Sequence, residues 1–174
     1  MKKLLMVIDY QHDFVDGALG FLKAATLSKG IKEKIRQYHM AGDDVIFTMD
    51  THQSDYLSTQ EGRLLPIKHC IEGTQGFEIY SDLKEVMYAS DLIFKKPTFG
   101  SLSLGEYLKH QSYASIELVG LVTNMCVISN AVIAKSALPE SSIIIDSRLC
   151  ASFSDELHEK ALDIMASLHM HILK

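Results

Sequence analysis

A chain of 174 residues, 47% hydrophobic and 22% charged, has the makeup of a globular protein with enough length to bury a proper core, and it reads most simply as one domain over 1–174. A formal net charge of −5 without any basic cluster argues against nucleic-acid binding, which needs a positive face. Three widely spaced cysteines make a poor disulfide framework, no uncharged run approaches the ~20 residues of a membrane span, and the amino-terminal apolar run is too short for a signal peptide. A reduced, cytoplasmic setting away from membranes is the expectation.

Taken in chain order, a short apolar run over 3–9 reads as a strand that ends in Asp9. A helical pattern over 28–41 follows, then a strand over 44–49. Residues 50–80 are polar and lack periodicity; thirty irregular residues inside a compact domain suggest a functional insertion rather than a linker. Further strands are expected over 91–95, 116–121 and 142–146, with a short terminal one over 169–173, and helices over 102–110, 124–137 and 154–167. Ser154-Asp155-Glu156 offers a start for the last helix, with acids in its first turn. Strands alternating with helices, and lacking polar alternation themselves, predict a three-layer α/β/α, Rossmann-like fold around a mostly parallel six-stranded sheet.

Ligands of such sheets bind beyond the carboxyl ends of the strands, and three chemistry-bearing residues fall there. Asp9 closes the first strand, Lys95-Lys96-Pro97 closes the third, and the segment from Leu118 to Val127 delivers Cys126 to a helix start. Thr123 or Asn124 can serve as N-cap, and the unpaired N–H groups of a helix start favour thiolate over thiol. Each residue also has a plain reading: Cys126 as a small buried hydrophobe, Asp9 as a turn cap, Lys96 as a solvated strand end. Strand alternation sends Lys95 and Lys96 to opposite sides, so only one can face a shared site. In the irregular region, Asp50, His52 and His69 form a set that can hold Zn²⁺, Fe²⁺ or Mn²⁺. Cys70 beside His69 reads as structural. Cys150 falls after the fifth strand and is assigned no chemistry.

Asp9-Tyr10-Gln11-His12-Asp13-Phe14, Lys96-Pro97-Thr98-Phe99-Gly100-Ser101 and Gly120-Leu121-Val122-Thr123-Asn124-Met125-Cys126-Val127 occur in the order and spacing of three family motifs. On these residues the chain resembles the isochorismatase-like cysteine hydrolases, and within them the nicotinamidase branch. The resemblance implies hydrolysis of a small amide, with nicotinamide first in mind. Cys126 would be the nucleophile, Asp9 the proton acceptor and donor, and Lys96 their electrostatic partner. It also implies a cis Leu121–Val122 peptide, an oxyanion hole from the N–H groups of Val122 and Cys126, and an aromatic wall from Phe14. Asp50, His52 and His69 match the branch's metal pattern, and Glu61 falls where some members supply a fourth ligand. A divalent metal, no organic cofactor and a homo-oligomer are the corresponding expectations. Two features depart from the branch: Leu64-Leu65-Pro66-Ile67-Lys68-His69 lacks the aromatic residue that helps sandwich a pyridine ring, and the spacing from Glu61 to His69 is one residue longer. The competing readings are an isochorismatase-like vinyl-ether hydrolase, in which the cysteine is typically absent, and a catalytically silent binding subunit.

Overall fold

The structure is a computed structural model describing residues Met1–Lys174. Its strands are β1 (Lys3–Ile8), β2 (Asp44–Asp50), β3 (Leu92–Lys96), β4 (Ser115–Leu121), β5 (Ser142–Ala151) and β6 (His171–Leu173). All pair in parallel, in the order β3-β2-β1-β4-β5-β6. The helices are α1 (His12–Val15), α2 (Leu22–Thr26), α3 (Ser28–Ala41), α4 (Gln60–Leu64), α5 (Ser81–Lys84), α6 (Leu102–Leu108), α7 (Ile128–Ala137) and α8 (Asp155–Ser167). The expected three-layer fold is present, and the sheet is parallel throughout. No helix is long and apolar enough to cross a membrane.

The central strands are apolar because both their faces are covered. From β1, Leu5 and Val7 enter one core with Ile31 and Ile35 of α3. Leu4, Met6 and Ile8 enter the other with Ala131 and Ala134 of α7 and Leu162 and Met165 of α8. Helix α3 buries Ile31, Ile35 and Tyr38 at helical spacing and stops at Gly42, whose φ of 74° only glycine adopts readily. Helix α8 starts as expected: the Ser154 hydroxyl accepts from the Leu157 N–H, and Asp155 and Glu156 occupy the first turn. A polar group lies among the apolar strands. Glu117 of β4 and Asp146 of β5 both accept from the Lys34 ammonium, at 2.6 and 3.0 Å, and Glu117 also accepts from the Tyr38 hydroxyl. The carboxylates are thereby satisfied beneath α3.

Several expectations need correction. β3 lies at the sheet edge with Leu92 and Ile93 exposed by 41% and 46%, so its apolar run does not mark burial on both faces. It also extends to Lys96. β5 continues five residues past 146, because Gly120 and Leu121 of β4 resume pairing with Cys150 and Ala151 after a shift in register. Cys150 therefore lies inside the strand, and Ser147 and Arg148 at the irregularity hide its continuation. β1 ends at Ile8, since Asp9 turns out of the sheet with φ 45°. The helix expected over 124–137 divides into a π-turn at Thr123–Val127 and α7. The short helices α1, α2, α4 and α5 carry too few turns for a periodic signal.

The region 50–80 folds over the carboxyl edge of the sheet. Gln11 pins it: its amide donates to the Asp50 and Phe77 carbonyls and accepts from the Asp50 N–H. Asp13 accepts from the Cys70 N–H at 2.7 Å.

Gly120 is the tightest point of the sheet. Its φ is 114°, and a Cβ there would sit 2.2 Å from the Ile8 carbonyl oxygen and 2.8 Å from the Ile8 nitrogen. Gly120→Ala is expected to lower unfolding free energy by roughly 3 kcal/mol, from steric overlap and left-handed strain together. Urea denaturation followed by circular dichroism checks this.

Candidate active site

Three strand ends meet in a buried charge centre. Asp9, after β1, has no exposure, and its Oδ1 accepts from the Thr48 hydroxyl at 2.6 Å. Its Oδ2 lies 2.6 Å from the Lys96 Nζ but accepts no well-directed hydrogen bond, which leaves this oxygen open to another donor. Lys96 is equally buried. Its ammonium donates to the Thr98 carbonyl at 3.0 Å, to Asp50 Oδ1 at 3.4 Å and to the Cys126 Sγ at 3.5 Å. Lys95 turns to the other side and pairs with Glu72 at the surface, as strand alternation requires.

Cys126 sits in the π-turn that leaves β4, 4% exposed. The Leu121–Val122 peptide is cis. The Val122 carbonyl accepts from the N–H groups of Met125 and Val127, while its own N–H has no partner within the chain. Neither Thr123 nor Asn124 caps this turn. The Thr123 hydroxyl is bonded to His158 Nδ1 of α8 at 2.8 Å, and Asn124 Oδ1 accepts from the Ser152 hydroxyl at 2.5 Å. Asn130, one helical turn past Cys126, is a residue the motifs did not single out. Its amide donates to the carbonyls of Cys126 and Phe99 and accepts from the Ser101 N–H. It ties the segment after β3 to the cysteine turn. Its only sequence signal is a polar side chain one turn from the cysteine on a buried helix face.

Electrostatics here reverse one expectation. Burial, then the neighbouring Asp9 charge, push the Cys126 thiol well above its ordinary pKa; Lys96 opposes them without prevailing. The thiol form is therefore favoured, because burial and the Asp9 charge outweigh the Lys96 charge. Burial likewise raises the Asp9 carboxyl; the Lys96 charge pulls it down and the Asp50 charge adds to burial. Burial by itself would lower Lys96, but the facing Asp9, Cys126 and Asp50 outweigh it and raise its pKa.

Beside this centre lies a set of metal-type donors. Asp50 Oδ2 is 3.0 Å from His52 Nε2 and 3.3 Å from His69 Nε2; Glu61 Oε1 is 3.6 and 3.8 Å from the same two nitrogens. All four donor atoms lie within 4.8 Å of one another. The irregular loop achieves this with a short parallel bridge between His52 and Ile71: the His52 N–H donates to the Cys70 carbonyl, and the Glu72 N–H to the His52 carbonyl. His69 Nδ1 meets the Ile67 carbonyl at 2.8 Å, which turns Nε2 inward. The longer spacing from Glu61 to His69 does not keep Glu61 out, since α4 places it in its first turn, facing the histidines. Burial of Asp50 is outweighed by hydrogen bonds from His52 and His69 and by Lys96, which hold its carboxyl well below the ordinary range. Two nitrogens and two carboxylates suit Zn²⁺, Fe²⁺ or Mn²⁺. With Asp9, Asp50 and Glu61 set against Lys96, the local charge also favours a divalent cation. The donor set fits such an ion.

Thiol and donor set open on one cavity of about 760 Å³. Phe14 forms part of its wall, with its ring 5.6 Å from the His69 ring. Leu64 and Leu65 also line it, and Leu19, Phe99, Val122, Met125, Phe153 and Leu157 add to the apolar lining. Leu19, Phe153 and Leu157 come from separate segments outside the motifs, so no sequence pattern flagged them. Cys70 is buried outside the donor set, with its thiol pushed up by burial.

The Isochorismatase domain family model matches residues 3–173. The chain belongs to the isochorismatase family. Within that family it is similar to the nicotinamidase/pyrazinamidase PncA of Bacillus subtilis, whose crystal structure superposes with a TM-score of 0.88 at 31% identity over the whole of both chains. It is 26% identical to the nicotinamidase of Acinetobacter baylyi, over 94% of this chain and 88% of that one. A zinc-bound pyrazinamidase structure from Pyrococcus horikoshii, 24% identical over 100% of this chain and 99% of that one, shares the fold with a TM-score of 0.87.

The electrostatics of this family member give a direct test. Asp9→Asn removes a negative charge that raises the thiol pKa and leaves Lys96 facing Cys126 with only the more distant Asp50 as counter-ion. The pH at which Cys126 alkylation by iodoacetamide becomes fast should fall relative to wild type. Mass-spectrometric rates from pH 6 to 10 measure it, and an unchanged profile would contradict the charge balance described here.

Proposed function

We propose that this protein hydrolyses a small aromatic amide, nicotinamide first, to the acid and ammonia through a thioester on Cys126. One observation carries the reading: a thiol that lines the cavity lies 3.5 Å from a buried ammonium, which itself sits 2.6 Å from a buried carboxylate, and Asp50, Glu61 and His69 of the four-residue donor set line the same cavity. The names of the Bacillus and Acinetobacter relatives support the same reaction.

Asp9 Oδ2, the oxygen without a directed hydrogen bond, takes the thiol proton as Sγ bonds to the carboxamide carbon. A carboxylate with a raised pKa is a stronger base than an ordinary one. Lys96 stabilises the sulfur anion as it forms and stays paired with Asp9. The carbonyl π electrons move to oxygen, and that oxyanion meets the free Val122 N–H and the Cys126 N–H. As the tetrahedral species collapses, the C–N bond breaks and Asp9 returns the proton to nitrogen, releasing ammonia. Water then attacks the thioester with Asp9 as base, and the C–S bond breaks to give the acid and the thiol. Phe14 provides a face for the ring. Asp50, His52, Glu61 and His69 would hold a divalent ion, which would supply Lewis acidity to orient the substrate.

Cys126→Ala should lower ammonia release from nicotinamide by on the order of 1,000-fold or more while leaving calorimetric binding of the amide near its wild-type strength. Substantial turnover by the clean variant would overturn the nucleophile assignment. His52→Ala should reduce the metal copurifying with the protein and raise KM for nicotinamide by roughly tenfold or more. Elemental analysis of the purified variant reads the first effect and steady-state kinetics the second.

A further inference from the structure

The cavity is larger than a one-ring carboxamide fills. A volume of about 760 Å³ falls among pockets that enclose drug-sized ligands. Its polarity is uneven. Asp50, Glu61, His69 and Cys126 lie at the reacting end. The remaining polar lining is Gln60, Thr98, Asn124 and Ser152; the last two are bonded to each other, and the Thr98 carbonyl is taken by Lys96. Beyond them the wall consists of Leu19, Leu64, Phe153 and Leu157. Phe153 is held by the Phe21 ring at 4.9 Å, while Phe153 and Leu157 remain 51% and 45% exposed. No lysine or arginine lines the cavity, so no cation there complements a phosphate. This wall is continuous with the reacting centre, so whatever extends from a bound ring carboxamide meets it.

We infer that Leu19, Phe153 and Leu157 form an outer subsite for an apolar ring substituent, so that among the aromatic carboxamides of the proposed reaction alkyl-substituted rings are preferred over nicotinamide itself. The inference rests on the proposed amide hydrolysis for where the carboxamide sits. An alkyl group on this wall leaves water against leucine and phenylalanine side chains that otherwise stay wet. The gain accumulates with each methylene until the wall is covered.

The test uses nicotinamide and its methyl, ethyl and propyl derivatives, substituted at the ring carbon meta to the carboxamide, with nicotinamide riboside as the polar control. kcat/KM is measured with wild type, Phe153→Ser and Leu157→Ser, and Kd by calorimetry on Cys126→Ala protein, so that binding is read whether or not turnover occurs. Affinity and kcat/KM should rise by about two- to fourfold for each added methylene, the riboside should gain nothing, and both serine variants should flatten the slope. A flat series in wild type, or the same slope in the variants, overturns the subsite. Should a second copy of the chain cover this wall instead, the series is flat and Leu157→Ser changes the sedimentation coefficient, which also overturns it. The two proposals fail separately. Turnover of nicotinamide with a flat alkyl series removes only the subsite. A Kd that falls with alkyl length, without turnover of any amide, removes only the hydrolysis.

Discussion

A carboxylate and an ammonium 2.6 Å apart, neither side chain exposed, set the terms for the rest of this molecule. Removing two charges from water costs several kcal/mol for each ion even after relaxation, and only close pairing with further hydrogen bonds offsets it. Asp9 and Lys96 are not neighbours in the sheet, because β2 lies between β1 and β3. That intervening strand supplies the Thr48 hydroxyl to Asp9 and the Asp50 carboxylate to Lys96. The pairing of Ile8 with Thr48 and with Gly120, and of Asp50 with Lys96, levels four strand ends so that these groups converge. A slip of one residue in any strand would turn its terminal side chain to the opposite face. The charge centre and the register of the sheet are therefore one constraint.

The same burial shapes how a proton can move. An exposed cysteine near a lysine would spend much of its time as thiolate, open to oxidation and adventitious alkylation. Here desolvation acts in the same direction on Cys126 and Asp9. In the proposed reaction donor and acceptor are thus shifted in the same direction. Lys96, whose pKa the facing anions raise, gives either proposed anionic state a counter-ion.

Much of this was legible in the sequence, for identifiable reasons. The continuous apolar run of β1, and the apolar residues on either side of Glu117 in β4, mark strands with both faces covered, and the polar residue at the end of β1 stands out against its run. Alternation shows that only one of Lys95 and Lys96 can face the site, and the Lys96-Pro97 motif of the resemblance picks Lys96. What escaped depended on distant partners. β3 reads like a core strand yet lies at an edge. The tail of β5 is concealed by polar residues at a register shift. Thr123 and Asn124 have the chemistry of N-caps but are engaged by His158 and Ser152, residues of the chain's last quarter. The loop ligands Asp50, His52 and His69 could be named from their spacing and type, whereas the bridge that gathers them, and the apolar wall of Leu19, Phe153 and Leu157, exist only once separate segments pack.

Asp50 has one further meaning. Its two oxygens face different neighbours: Oδ1 meets the lysine of the thiol centre, and Oδ2 meets both histidines of the donor set. The two halves of the cavity are thus not modules that could be inherited apart. A descendant that discarded the histidine loop would leave a half-coordinated carboxylate pressing on Lys96, and one that discarded the lysine would strand that carboxylate among the ligands. Divergence within this architecture is consequently freest at the outer wall, which shares no atom with Asp50, and most restricted at the strand end where one side chain answers to both sites.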